Sequence, residues 1–145
     1  MMIQKTPPDK VADKEAEDRE TSPIMPSVNI WSNFKWAIAG LVYAIRTQRC
    51  MRFHLAATIG VTLLGLYLGL SGMEWAVTAL VIALVWIAEL TNTVAETVVD
   101  LATDKYHPLA KKAKDIAAGA VLVAAAAAII IAAVIFVPKL LVLLL

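Results

Sequence analysis

The hydropathy pattern divides the chain into a polar front, one amphipathic stretch and three long apolar runs. Residues 1–30 have no hydrophobic period and are punctuated by Pro7, Pro8, Pro23 and Pro26. A segment without an apolar face has nothing to bury, so it reads as a disordered or loosely helical tail. It does not read as a secretory signal, because no apolar region follows a basic start. Over residues 31–47 the pattern changes. Phe34, Ile38, Leu41 and Ile45 recur at helical spacing, with Ser32 placed as an N-cap. Lys35 and Arg46 make the stretch too polar to span a bilayer, and Trp31 and Trp36 suit the headgroup level. The expectation is a helix lying flat on a membrane surface.

The apolar runs follow at residues 55–70, 75–88 and 116–137. The first is a little short of the ~20 residues a straight span prefers, but Phe53 and His54 extend it. Gly65 and Gly69 match the spacing of a helix-contact motif, a weak signal in so apolar a run. Residues 71–74 read as a tight turn. The second span is expected to continue past its apolar half to about Asp100. Pro108 disfavours helix at His107, so residues 103–108 read as a loop. Asp115 is placed to cap the third span, whose many alanines allow close helix approach, and Pro138 is expected to end it. Fold class on this reading is an all-α membrane protein, with a surface helix (31–47) and spans near 53–70, 75–100 and 115–137.

The second span breaks the apolar pattern in an ordered way. Residues 86–100 read WIAELTNTVAETVVD, and Glu89, Asn92, Glu96 and Asp100 fall within a stripe about 80° wide on a helical wheel. An ionisable residue at the centre of a membrane helix costs roughly 2.5–3.5 kcal/mol on insertion scales, which makes such a stripe a candidate functional site.

Charge adds an orientation. The chain is 60% hydrophobic with a formal net charge of +1. Residues 1–30 carry 4 basic and 6 acidic side chains, and the remainder 9 and 6. Lys35, Arg46, Arg49 and Arg52 precede the first span. Lys105, Lys111, Lys112 and Lys114 lie between the second and third, and the intervening loop has no basic residue. The positive-inside rule then puts the N-terminus and the acidic half of span two on the cytoplasmic side. The single cysteine, Cys50, allows no intrachain disulfide and reads as a packing residue.

Carboxylates and lysines converging at one membrane face suit phosphoryl transfer, which needs a divalent cation, cations for the phosphates and a base for the attacking hydroxyl. The spacing fits a cation channel or proton relay equally well. No Walker A loop, Gly-x-Gly-x-x-Gly run or protein-kinase signature is present.

The run Glu89-Leu-Thr-Asn92-Thr-Val-Ala-Glu96-Thr-Val-Val-Asp100 resembles the signature of the prokaryotic diacylglycerol kinase family, which includes undecaprenol kinases. Tyr106-His107 and the stretch from Ala113-Lys114-Asp115 to Val121 resemble its second block. Residues 40–54, with Arg49-Cys50-Met51-Arg52-Phe53-His54, resemble the approach to its first span. The resemblance covers residues 31–137. It implies an integral-membrane lipid kinase of the bacterial inner membrane, a homotrimer with composite sites, using Mg2+ and ATP. It implies that Glu89 is the general base for the lipid hydroxyl, with Asn92 beside it, and that Glu96 binds metal and nucleotide. Tyr106, His107, Lys114 and Asp115 then fall at the nucleotide, and Arg52 is the candidate for the lipid headgroup. The lipid would be diacylglycerol or undecaprenol; no nucleic-acid partner is expected.

Gln48 departs from the pattern. It stands where the family usually has a glutamate that completes the metal and ATP site with Glu96. An amide keeps an oxygen ligand and loses the charge that hard divalent cations favour. The departure keeps open a non-enzymatic reading, an oligomeric channel or an inactive relative. Cys50 likewise stands where asparagine is common.

Overall fold

The computed structural model describes residues 30–144. Over these the chain is entirely helical: α1 (Ile30–Thr47), α2 (Arg49–Tyr67), α3 (Gly72–Ala102) and α4 (Pro108–Leu144). The last three are each long and apolar enough to cross a membrane, and the fold class is the expected one. The polar tail lies outside the described residues except for Ile30, which opens α1. Residues Ala37–Leu145 form one compact unit, distinct from the one that precedes it.

The helix boundaries follow from local chemistry. Ser32 lies inside α1 rather than capping it, because the helix already includes Ile30. A single residue, Gln48, separates α1 from α2. Its backbone is extended (φ −97°, ψ 125°), its N–H donates to the Ala44 carbonyl at 2.8 Å, and its side chain makes no cap bond. α2 closes in a Schellman turn. The Leu70 N–H reaches the Gly65 carbonyl at 3.1 Å, the Gly69 N–H reaches Leu66, and Gly69 takes the left-handed conformation (φ +62°). Gly65 has a different task. A Cβ there would lie 2.9 Å from the Trp75 ring, so its hydrogen lets α3 approach α2. The two glycines therefore serve a turn and a close contact within one chain.

Residues 71–74, expected as a turn, instead open α3. Ser71 is its N-cap in a full capping box: the Glu74 N–H donates to Ser71 Oγ at 3.4 Å, and the Ser71 N–H donates to Glu74 Oε2 at 2.6 Å. α4 begins earlier than expected. Pro108 takes its first position, where a missing N–H costs nothing. His107 Nδ1 accepts from the Leu109 N–H at 3.2 Å and satisfies one of the first amides. Asp115 is therefore no cap; it sits in the third turn, ion-paired with Lys111 at 2.5 Å. The helix also continues through Pro138, where the sequence pattern placed its end, to Leu144. A proline inside a helix forfeits one amide bond. At the next residue Lys139 Nζ meets Glu74 Oε2 at 3.1 Å.

α3 and α4 form an antiparallel hairpin, tied by Lys139–Glu74 at one end and Lys114–Asp100 (2.6 Å) at the other. α2 leans on α3 through Gly65 and through a bond from Trp86 Nε1 to Thr58 Oγ1 at 3.0 Å. Few side chains are buried. Ala44, Met51, Leu70, Val85 and Phe136 are the apolar ones, and most large apolar side chains remain exposed. Such a surface is suited to lipid or to further helices rather than water.

Candidate active site

The polar stripe of α3 is placed as the helical period requires, but its members differ in environment. Glu89 is only 4% exposed, on the side of α3 that faces α2. Its backbone carbonyl accepts the Thr93 hydroxyl at 3.0 Å. His54 Nε2, on α2, lies 4.0 Å from Glu89 Oε2. Cys50, one turn before His54, lies beside the same carboxylate and within the field of Glu96. A thiol is a weak donor and the imidazole is beyond hydrogen-bond distance. The carboxylate is thus shielded from water with no strong partner to neutralise it.

One turn on, Asn92 Nδ2 donates to Glu96 Oε1 at 3.2 Å. The other end of the amide, Asn92 Oδ1, is buried with no partner. A buried unpaired acceptor costs about 1–3 kcal/mol, so an oxygen left in this state beside a carboxylate is a place for a cation or donor from outside the chain. At the end of the stripe Asp100 turns away to Lys114.

The remaining candidates gather more loosely. Gln48 is half-buried at the start of α2, two residues before Cys50, and its amide is free of any capping duty. Arg52 is exposed, next to the fully buried Met51. Tyr106 and His107 are exposed in the loop between α3 and α4, and His107 uses Nδ1 to start α4. Lys114 and Asp115, adjacent in sequence, point to different partners, Asp100 and Lys111. One chain therefore brings Glu89, Asn92 and Glu96 together with the start of α2. It leaves Tyr106, His107 and Asp115 on an open surface. Among the described residues no three His, Cys, Asp or Glu side chains converge as a ready metal cage. The oxygens present, from Glu96 and the unpaired Asn92 amide, fit a hard cation that arrives with phosphates and needs only one or two carboxylates from protein.

Sequence reasoning used His54 to extend the first span and read Cys50 as a packing residue, and missed that both face Glu89. A signal was there: Cys50, His54 and Thr58 are spaced four apart and share one face of α2. That face meets Glu89 and Trp86.

Residues 35–136 match the family model for prokaryotic diacylglycerol kinase. The chain is 46% identical over 110 residues to an undecaprenol kinase of Bacillus subtilis (strain 168), covering 76% of this chain and 89% of that protein. It is 42% identical over 117 residues to a diacylglycerol kinase of Synechocystis sp., covering 80% of this chain and 67% of the relative. A diacylglycerol kinase of Helicobacter pylori (strain ATCC 700392 / 26695) is 33% identical over 97 residues, 62% of this chain and 76% of that one.

Proposed function

The chain belongs to the prokaryotic diacylglycerol kinase family and is a lipid kinase, and from that premise we propose that it moves the γ-phosphoryl group of ATP to the hydroxyl of a membrane lipid with Glu89 as the general base. The observation that carries this reading is the state of Glu89: buried, with a thiol and an imidazole beside it, and one turn from an unpaired amide oxygen. The lipid hydroxyl gives its proton to the Glu89 carboxylate as its oxygen bonds to the γ-phosphorus. The bond to the β-phosphate oxygen breaks and ADP leaves with that electron pair.

The other residues hold the reactants. Asn92 orients Glu96 through the 3.2 Å bond. Glu96, the Asn92 oxygen and Gln48 are the donors for Mg2+, which when bound offsets the phosphate charge. Lys114 supplies a cation for the phosphates by exchanging Asp100 for them, and Tyr106, His107 and Asp115 complete the nucleotide side. Arg52, exposed at the start of α2, meets the lipid headgroup. Glu89 and the exposed nucleotide residues do not close into one pocket within a single chain. This supports a homotrimer whose sites are shared between subunits. The basic residues at the Glu89 end support a cytoplasmic site in the bacterial inner membrane.

The test is transfer of labelled phosphate from Mg–ATP by the purified protein in mixed micelles, with diacylglycerol and undecaprenol in parallel. Transfer to one lipid and its loss in Glu89→Gln are expected. Transfer undiminished in Glu89→Gln would remove Glu89 from the role of base.

A further inference from the structure

A general base that takes a proton from each acceptor hydroxyl must lose it before the next turnover. Glu89 is poorly placed to give it straight to water, since its side chain is 5% exposed. Two groups lie beside it. The Cys50 thiol is one, and a thiol has no site for a second proton. The His54 imidazole is the other. A neutral imidazole keeps one ring nitrogen free to accept, and Nε2 is the nitrogen turned toward the carboxylate, 4.0 Å from Oε2.

The ring also leads outward. Its side chain is 16% exposed, more than that of Glu89. His54 is five residues beyond Arg49, the first residue of α2, or roughly 7.5 Å along the axis. Side chains on a helix lean toward its N-terminus, which here is the end that carries Arg49 and Arg52.

A tether holds the ring at the carboxylate. Thr58 Oγ1 donates to the His54 carbonyl at 2.8 Å and accepts the Trp86 Nε1–H at 3.0 Å. Trp86 is three residues before Glu89, on the same side of α3. One hydroxyl therefore ties the turn of α2 that bears His54 to the turn of α3 that bears Glu89. Phe53 meets the imidazole edge-on, with ring centroids 5.8 Å apart. The 4.0 Å gap is longer than a hydrogen bond, and gaps of this kind tighten as a site closes on its substrates.

We propose that His54 takes the proton from Glu89 after each phosphoryl transfer and passes it to water, with Thr58 and Trp86 as positioning residues. The inference rests on the general-base reading of Glu89 and adds to it the route by which the base is reset. The O–H bond of the Glu89 carboxyl breaks as an N–H bond forms at Nε2, and the carboxylate is restored. The imidazolium then gives the proton on Nδ1 to water, and exchange with solvent returns the ring to its starting tautomer. The proton released is the one the lipid hydroxyl lost.

The test is His54→Ala, assayed for phosphate transfer with and without free imidazole in the buffer. The expected result is a loss of about tenfold or more in kcat, with KM for ATP and for the lipid within twofold. Added imidazole should return much of the lost rate in His54→Ala and none in Glu89→Gln. An unchanged kcat, a loss confined to KM, or a loss that imidazole leaves untouched overturns the relay. Thr58→Val should lower kcat by less than His54→Ala, and Thr58→Ser should keep the wild-type rate; equal rates for the two remove Thr58 from its positioning role. A further measurement needs neither turnover nor a His54 variant. The chain has two histidines, so ring-15N signals of labelled protein are easily told apart. Glu89→Gln is expected to move the His54 ring signals and leave those of His107 in place. Unmoved His54 signals overturn the pairing even where no lipid is phosphorylated. Absence of transfer in the wild type removes the kinase reading and the relay with it, whereas a full-rate His54→Ala removes the relay alone.

Discussion

α3 carries one carboxylate, Glu74, in its first turn and another, Glu89, near its middle, and the two live in opposite circumstances. Glu74, at the start, is well partnered. It takes the Ser71 N–H, returns the capping box and meets Lys139. Glu89 is buried with a thiol and a distant imidazole for company, and the Asn92 oxygen one turn on has no partner at all. A group whose bonds are complete holds the fold in place, and one held short of partners is available to a ligand. The same residue type on one helix thus separates into structure and chemistry by what surrounds it.

Substitution should sharpen that contrast. Glu89→Gln is expected to reduce phosphate transfer by about 10²–10⁴-fold, the usual contribution of a general base, with an unchanged melting temperature in detergent. Glu74→Gln should leave transfer within twofold, and equal effects of the two on activity would erase the distinction. Gly65→Leu presses a side chain into the Trp75 ring and is expected to destabilise by about 1–3 kcal/mol as overpacking does. Thermal unfolding of the detergent-solubilised protein reads it. Ser71→Ala removes the capping hydroxyl and should cost about 1 kcal/mol. Lys139→Ala leaves the capping box intact and should cost less still, as a solvent-screened ion pair does. On the catalytic side, Gln48→Glu adds a carboxylate at the start of α2, where the proposed Mg2+ site draws on Gln48 and Glu96. It should lower the Mg2+ concentration for half-maximal transfer, and a magnesium titration at fixed ATP checks it.

The parts of this molecule written in a periodic code were legible in advance. The three spans and the α3 stripe follow from one helical repeat, so Glu89, Asn92 and Glu96 could be set on one face without coordinates. Contacts between distant segments were not. The distance from His54 to Glu89 depends on how closely α2 and α3 approach, which is set by Gly65 against Trp75 and by the Trp86–Thr58 bond. Pro138 misled because its cost to a helix is local, while the pairing of Lys139 with Glu74 that accompanies it is tertiary. Asp115 misled for a similar reason. Pro108 and His107 supply the start of α4 by themselves, which frees Asp115 for Lys111.

The two ion pairs that close the α3–α4 hairpin have a consequence for the bilayer itself. Lys114 and Lys139 are separated by twenty-five residues of one helix, or roughly 37 Å along its axis, against a hydrocarbon layer of about 30 Å. Each pair therefore comes to rest in an opposite headgroup zone, and the hairpin works as a ruler. A thinner membrane would be met by tilt. A thicker one would draw charged pairs toward the oil, so the host membrane's thickness sets how deep Glu89 lies.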